Sequence, residues 1–332
     1  MARTFLEKRA STVLFRFLRS NSRVGVYLLP ANVCPIVPAV FHKAHVPFEF
    51  LDIHPSTLAL DPKLVLRRLR QGGCAGILYV RTYGAMFDME ASFGTFKNAC
   101  SSLLLIDDRC LVVPQFEHSG GCADLELYST GYSKYVDFGW GGWGNLGEGV
   151  NYEKETMPFS REAHDAMVAE FRDIAEQRGN FEYRDSDWLD ATEVDISWQD
   201  FKTQVCDRAQ AAAAHQAALN DCYRHFLPND CCLPMAFRNW RFHVWVSNPR
   251  TLLKAIFDAG LFASSHYASL IPAFGPGHAP NAALLGSKVV NLFNDFRFDL
   301  EKAERTARLV AEHLKISNQG PYPWRDEEVM HG

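Results

Sequence analysis

Residues 102–108 read SLLLIDD, an uninterrupted apolar run that ends in two acids. A short buried run of this kind, with polar residues on both sides, is typical of a strand inside a parallel sheet. Comparable runs occur at residues 24–29 (VGVYLL), 48–53 (FEFLDI), 76–80 (GILYV) and 125–129 (LELYS).

Helical patterns separate these strand candidates at residues 38–43, 62–70 and 89–99. Asp61 is a candidate cap for the second helix, because Pro62 stands at its first position, where proline is favoured. Strands that alternate with helices predict an α/β fold with a doubly wound, mostly parallel sheet. Ligands bind such sheets at the carboxyl ends of the strands.

The second half of the chain has a different character. Residues 151–198 are polar and irregular. The order of elements after them predicts a large domain over residues 1–198, and a linking helix with a smaller C-terminal α/β domain over residues 199–332. The predicted elements there are helices near 160–177 and at 200–226, 250–258 and 299–314, with strands at 241–246 and 289–293.

Composition narrows the class of protein. The chain has 332 residues, of which 47% are hydrophobic and 22% charged, as in an ordinary globular enzyme. Its net charge of -5 gives no basic excess for nucleic acid or anionic membranes, so we expect a small-molecule or protein partner. No signal peptide or membrane span is recognisable, which predicts a cytoplasmic protein. The nine cysteines fit neither a disulfide framework nor a zinc motif, so we expect reduced thiols and no metal.

The stretch from Tyr128 to Lys134, YSTGYSK, begins as a strand ends and leads into Gly139, Gly141 and Gly142. A lysine in such a hydroxyl-rich turn suits the formation of an imine with an aldehyde cofactor, whose phosphate the neighbouring hydroxyls would hold. Taken alone, the same pattern also fits a structural or exposed lysine.

Asp107 and Asp108 end the run SLLLIDD. A buried carboxylate needs a cation or hydrogen-bond donors to stay ionised, and a protonated pyridine nitrogen is such a partner. The alternative for either acid is the capping of a turn.

Ser11 and Thr12 stand where an amphipathic helix begins. They fit an N-cap, but the free N–H groups and the dipole of a first helical turn also bind phosphate. The two interpretations remain open at this point.

Taken in order, these segments resemble the DegT/DnrJ/StrS aminotransferases, pyridoxal-phosphate enzymes of fold type I. Ser129 and Lys134 keep the spacing of the family motif Ser-Phe-x-x-x-Lys, and Asp108 matches the second acid of its Glu-Asp strand end. Ser11 falls at the threonine of the Gly-Thr phosphate motif. The segment 80–84 (VRTYG) followed by Asp88 matches a further family segment.

The resemblance implies a homodimeric aminotransferase that moves an amino group from a donor of the glutamate or glutamine type to a keto sugar or small keto compound. It implies catalytic roles for Lys134 and Asp108, and pyridoxal 5'-phosphate as the cofactor. The remaining implied site residues are Ser129, Ser11, Ala10, Thr12, Cys34 and Asn180 toward the cofactor, and Arg241, His266 and Tyr267 toward the substrate.

Some features depart from the family pattern. Only eight residues precede Arg9, which predicts reduced N-terminal structure on the substrate side. Ala10 replaces the glycine of the phosphate motif, and residues 291–294 read NLFN where Leu-Pro-x-His is common. Two alternatives therefore stay open: a pyridoxal-phosphate enzyme of another outcome, such as a lyase, decarboxylase or condensing enzyme, and a non-catalytic regulatory homologue.

Overall fold

The computed structural model describes residues 3–177, 180–317 and 320–324. The strands are β1 (Arg3–Glu7), β2 (Val26–Pro30), β3 (Phe48–Leu51), β4 (Cys74–Val80), β5 (Leu104–Asp108), β6 (Leu125–Ser129), β7 (Gly142–Leu146), β8 (Phe242–Trp245), β9 (Ala263–Ser264) and β10 (Val289–Leu292). The helices are α1 (Ala10–Ser20), α2 (Ile36–Lys43), α3 (Pro62–Leu69), α4 (Glu90–Ala99), α5 (Arg161–Gln177), α6 (Trp198–Phe226), α7 (Pro249–Asp258), α8 (Ile271–Phe274), α9 (Pro280–Lys288) and α10 (Leu300–Ile316).

The larger sheet has the strand order β1-β7-β6-β5-β4-β2-β3. Its strands β2 to β6 pair in parallel, whereas β7 and β1 pair antiparallel at one edge. The predicted α/β fold with a mostly parallel sheet is confirmed.

Side chains of β5 alternate between the two faces of this sheet. Ile106 belongs to the core that contains Val13 of α1 and Val40 of α2. Leu105 belongs to the opposite core, with Val65 of α3 and Phe93 of α4. Helices therefore cover both faces, and the two acids that end β5 lie on different faces.

Gly142 begins a strand, β7, that the sequence patterns did not predict. A Cβ atom on Gly142 would collide with the backbone nitrogen of Ala10. A Cβ on Gly144 would lie only 2.7 Å from Cγ1 of Val13. Glycine is used in this strand because the first turn of α1 lies directly on the sheet. Gly142 also pairs with Ser129, so the start of α1 lies beside the end of β6.

The smaller sheet has the order β8-β10-β9 and is antiparallel. Its core joins residues of α6, α7 and α10, among them Tyr223, Leu252 and Val310. We propose the domain boundary at residue 199, in the first turn of α6, as the sequence predicts. Within the described residues, no helix combines the length and the apolar character needed to cross a membrane.

Candidate active site

The carboxyl ends of β5 and β6 bring Asp108 and Lys134 together. Asp108 is the last residue of β5, and Lys134 lies in the turn that follows Ser129, the last residue of β6. These strands are parallel neighbours, so both residues lie at the same edge of the sheet. Burial raises the pKa of the Asp108 carboxyl, and the nearby positive charge of Lys134 opposes this rise.

Asp108 is nearly buried, with 8% of its surface exposed. Its Oδ1 accepts a hydrogen bond from the backbone nitrogen of Cys110 at 3.0 Å. No ion pair to Asp108 is found among residues 3–177, 180–317 and 320–324. This carboxyl therefore stands in an apolar setting with Lys134 as a nearby cation.

Asp107 is engaged on the opposite face of the sheet. Its carboxylate accepts bonds from Arg81 Nε at 2.8 Å and Arg81 Nη2 at 2.9 Å, and from Arg109 Nε at 2.7 Å. Arg109 also pairs with Glu126 at 3.0 Å. The four groups form a closed, buried network of two cations and two anions, which is a structural arrangement.

The turn that carries Lys134 is fixed by Asp137. Asp137 Oδ2 accepts from the backbone nitrogen of Ser133 at 2.7 Å, and Oδ1 accepts from that of Gly139 at 2.9 Å. Ser133 has a φ of 57°, in the left-handed region. Arg297 pairs with Asp137 from the C-terminal part of the chain. The Lys134 side chain is half-buried, and its Nζ makes no hydrogen bond or ion pair within the described part of the chain.

Ser129 forms the floor of a small cradle beside the start of α1. Its Oγ accepts from the backbone nitrogen of Gly131 at 3.1 Å. A Cβ atom on Gly131 would lie 3.3 Å from Ser129 Oγ and 4.0 Å from Arg9 Nη1. Arg9 is the N-cap residue of α1, and Ser11 lies half-buried in its first turn. The hydroxyls of Ser129 and Ser11 and the free N–H groups of that turn suit an anion.

Ala10 and Thr12 do not offer side chains to this cradle. Ala10 lies against Gly142, where its backbone makes the close approach described above. The Thr12 hydroxyl donates to the carbonyl oxygen of Asp190 at 2.7 Å and is fully buried. In this first turn, only the backbone of Ala10 and Thr12, and not their side chains, is available for anion binding.

Two cysteines lie beside Asp108 and Lys134. Burial raises the pKa of the Cys34 thiol, and Lys134 lowers it. Burial raises the pKa of Cys110 well above its usual value, with the negative charge of Asp108 adding to the rise. Both thiols are thus neutral and weakly polar. Cys34 is close enough to Lys134 and Asp108 for their charges to affect its pKa, and its predicted place against a cofactor ring stays a prediction.

His266 and Tyr267 approach the same site from the C-terminal half. Burial, together with the positive charges of Arg241 and Lys134, lowers the pKa of His266 to about 4. The pKa of Tyr267 is raised well above its usual value, first by burial and then by the electrostatic effect of neighbouring acidic groups, Asp108 among them. The fold thus brings a neutral imidazole and a protonated phenol to Lys134 and Asp108.

Three residues that contact His266 and Tyr267 were not predicted from the sequence as part of the site. The Tyr83 hydroxyl donates to the carbonyl oxygen of His266, and Asn291 Oδ1 accepts from the His266 nitrogen at 2.6 Å. The Trp240 ring stacks near Tyr267, with 5.9 Å between the ring centroids. Trp240 Nε1 also donates to the carbonyl oxygen of Ser133. Tyr83 lies in the segment VRTYG, whose match to the family could have indicated it. No sequence pattern indicated Trp240.

Arg241 is buried inside the C-terminal part of the chain, with 1% of its surface exposed. Its Nη1 pairs with Asp295 Oδ2 at 2.8 Å, and its guanidinium carbon lies 4.0 Å from the centre of the Phe293 ring. Burial lowers its pKa. The guanidinium pairs with Asp295, and its positive charge lowers the pKa of His266; its predicted contact with a substrate stays a prediction.

Asn180 is exposed and lies about fifty residues after Ser129 in the sequence. The neighbouring Phe181 donates its backbone N–H to the carbonyl oxygen of Ala273 at 2.6 Å, and its ring lies 4.7 Å from that of Phe274. The segment is therefore anchored on α8. The predicted contact of Asn180 with a cofactor across a dimer interface stays a prediction.

No protein-family model matches this sequence, and no curated protein sequence matches it either. Solved structures do match its fold. Spr1654 of Streptococcus pneumoniae, described as a sugar aminotransferase and solved in its PMP-form, is 15% identical with a TM-score of 0.68, over 93% of this chain and 88% of that one. A DegT/DnrJ/EryC1/StrS aminotransferase of Brucella abortus is 13% identical with a TM-score of 0.63, over 94% and 86%.

A third matching structure is 3-amino-5-hydroxybenzoic acid synthase, 16% identical with a TM-score of 0.65, over 94% of this chain and 86% of that one. Each match spans most of both chains. The protein therefore has the fold of these aminotransferases, the fold type I that the sequence resemblance implies.

Proposed function

We propose that this protein is a pyridoxal-phosphate-dependent aminotransferase. It would move an amino group from an amino acid donor of the glutamate or glutamine type to a keto sugar or a small keto compound in a biosynthetic pathway. One observation carries the proposal: Lys134 and Asp108 meet at the carboxyl edge of a sheet whose fold is shared with solved aminotransferases.

The residues present fit the cofactor. Lys134 Nζ has no partner within the described residues, as an amine that must react with an aldehyde requires. Asp108 is buried, has no ion pair in the part of the chain that the structure describes, and can face a pyridine nitrogen. At the other end, the cradle of Ser129, Gly131 and the first turn of α1 is open for phosphate, since glycine leaves the space that a Cβ would fill.

The chain's own groups have distinct tasks in this scheme. When bound, pyridoxal phosphate supplies an aldehyde that condenses with amines and a ring that withdraws electrons from the substrate carbon. Asp108 would hold the ring nitrogen in its protonated form by accepting its hydrogen bond. Lys134 Nζ would hold the cofactor through its aldehyde, and the same amine would move the proton of the substrate carbon.

The walls of the site exclude water and position the substrate. Cys34 lies beside Lys134 and Asp108 as an uncharged side chain, so it leaves their interaction unscreened. Tyr267 offers a protonated hydroxyl and His266 an uncharged imidazole, and both suit the hydroxyl or carbonyl oxygen of an acceptor. The solved structures of similar fold include a described sugar aminotransferase and an aminohydroxybenzoic acid synthase, which supports both acceptor classes.

Cofactor uptake is the first test. Purified protein titrated with pyridoxal phosphate should develop a near-visible absorbance band, and borohydride should then fix the cofactor on the chain. Lys134→Ala should abolish both signals, whereas Lys63→Ala, an exposed lysine on α3, should change neither. A Lys134→Ala protein that kept the band and turned over substrate would contradict the assignment.

The reaction type is tested by a half-reaction. Loaded protein mixed with glutamate or glutamine should convert its bound cofactor to the pyridoxamine form, with release of the matching keto acid. Release of carbon dioxide, ammonia or an aldehyde in place of that keto acid would assign another pyridoxal-phosphate outcome. Protein that takes up no cofactor would support the non-catalytic alternative.

The homodimer and the cytoplasmic location stay predictions. Light scattering of the loaded protein should give twice the mass of the chain. Asn180→Ala should weaken cofactor binding only in the dimer, because the side chain is predicted to reach the partner's phosphate.

A further inference from the structure

Arg9 is a cation without an anion beside the Ser129 cradle. Among the described residues, no carboxylate pairs with its guanidinium. Nη1 donates to the carbonyl oxygen of Gly139 at 2.7 Å, and the guanidinium carbon lies 5.9 Å from the centre of the Tyr132 ring. Its Nε is shielded from solvent and has no hydrogen-bond partner. Arg9 is half-buried, and its shielded Nε and its uncompensated charge favour a negatively charged ligand beside it.

The position of Arg9 shows where that ligand would lie. Its Nη1 would be 4.0 Å from a Cβ on Gly131, and the same Cβ would be 3.3 Å from Ser129 Oγ. The residue is also the N-cap of α1, yet its side chain makes no capping bond. The guanidinium and the Ser129 hydroxyl thus border the same space beside Gly131, and Arg9 directly precedes the first turn of α1.

We propose that Arg9 binds the phosphate group of the cofactor and supplies the positive charge of the phosphate site. This inference rests on the proposed function, and it adds a residue that the sequence motifs do not include. Ser129, Ser11 and the backbone N–H groups are neutral donors, whereas a phosphate monoester is close to doubly charged at neutral pH. Arginine presents donors in a planar fork that suits phosphate oxygens.

The test compares pyridoxal phosphate with pyridoxal, which lacks the phosphate but carries the same ring and aldehyde. Both are titrated into apo protein and followed by absorbance and by borohydride fixation measured by intact mass. We expect Arg9→Gln to weaken pyridoxal phosphate binding about 10- to 100-fold, the range for a charged hydrogen bond. Pyridoxal binding should stay within about twofold of the wild type, since no phosphate is present. Arg9→Lys should restore part of the loss.

The matched control is Arg19→Gln, which removes the same charge from the exposed far end of α1 and should leave both affinities unchanged. Because the Arg9 side chain makes no capping bond, α1 should form normally in Arg9→Gln, and circular dichroism checks this. Inorganic phosphate should compete with pyridoxal phosphate for the wild type and much less for Arg9→Gln.

Two results would overturn the proposal. Equal pyridoxal phosphate affinity in the wild type and Arg9→Gln would remove Arg9 from the phosphate site while leaving the proposed function intact. An equal loss for pyridoxal phosphate and pyridoxal would assign Arg9 a structural effect on the turn. Wild-type protein that binds neither compound would defeat the proposed function itself, a distinct outcome.

Discussion

Asp107 and Asp108 follow each other in the chain, but the protein surrounds their carboxylates in opposite ways. Asp107 is fully buried and accepts three hydrogen bonds from two arginines. Asp108 is 8% exposed, accepts a backbone hydrogen bond from Cys110, and has a pKa raised by burial. One carboxylate is fully compensated inside the protein, and the other is left in need of a partner.

The period-2 alternation of a strand produces this difference. Asp107 points to the α3 and α4 side, where Arg81 follows β4 and Arg109 follows β5. Asp108 points to the α1 and α2 side, toward Lys134. Buried charges are stable when they are paired, so an incompletely compensated acid beside a lysine supports the proposal that a ligand binds on this face. Under the proposed function, one acid of this dipeptide stabilises the fold and the other serves the cofactor.

Asp107→Asn should have the largest effect, on stability. The amide would leave Arg81 and Arg109 buried with too little negative charge, and breaking such a network costs about 3–5 kcal/mol. This is a large part of the roughly 5–15 kcal/mol that stabilises a typical domain. Urea unfolding followed by circular dichroism measures the change. Asp207→Asn, at an exposed position of α6, is the control and should barely alter the unfolding midpoint. Equal midpoints for both variants would contradict the structural role of Asp107.

Asp108→Asn should have the opposite profile. Its unfolding free energy should stay unchanged or rise, because a carboxyl that is costly to bury has been removed. Turnover should fall by a factor on the order of 10²–10³, the usual cost of losing one electrostatic contact in a transition state. Unfolding curves and half-reaction rates on the same preparations check both parts. A variant that unfolds early, as expected for Asp107→Asn, would erase the distinction between the two acids.

Much of the parallel sheet could be predicted because it depends on local pattern. The run SLLLIDD and its four relatives correspond to β2 to β6, with boundaries that differ by a few residues. The sequence likewise predicted that Ser129 would end a strand and that Lys134 would lie in the turn after it. These features depend only on the residues within and next to each element, so the local sequence pattern is sufficient to predict them.

Other features depend on contacts between distant segments. β7 was not predicted as a strand because it is rich in glycine. Its glycines leave room for α1, which lies more than a hundred residues earlier in the sequence. Arg241 was predicted to face a substrate, but its carboxylate partner Asp295 arrives with a later part of the chain. The sequence also does not show that Arg9 has no carboxylate partner among the described residues, since this depends on which acids fold nearby.

The pH dependence of stability gives a finer test of Asp108. Burial raises the folded pKa of this carboxyl, so the folded apo protein holds its proton at pH values where the unfolded chain has lost it. Stability from this group is therefore fully present below the ordinary aspartate pKa and is lost as pH rises through the raised folded value. Asp108→Asn should flatten that part of the curve. The measurement is the urea midpoint of apo wild type and variant across mildly acidic pH; parallel curves would show that the Asp108 carboxyl is ionised in the fold.

The smallest effect is expected at Glu49 and Arg68, a pair with good geometry on the surface. Arg68 Nε lies 2.6 Å from Glu49 Oε2, and Nη2 lies 2.9 Å from Oε1, but the Glu49 side chain is 40% exposed. The hydrogen bond from Arg68 lowers the pKa of Glu49, so the pair contributes at neutral pH and is lost on acidification.

Arg68→Gln should cost only about 0.2–1 kcal/mol, because water screens both partners, and added salt should shrink the effect. Arg67→Gln removes an equal charge from an exposed neighbour on α3 and gives the baseline. A double-mutant cycle with Glu49→Gln isolates the pair from the separate bond that Arg68 donates to Gly72. The contact of Asp107 with Arg81 has the same bidentate form, so a coupling energy at Glu49 as large as the loss in Asp107→Asn would mean that burial is not what makes Asp107 structural.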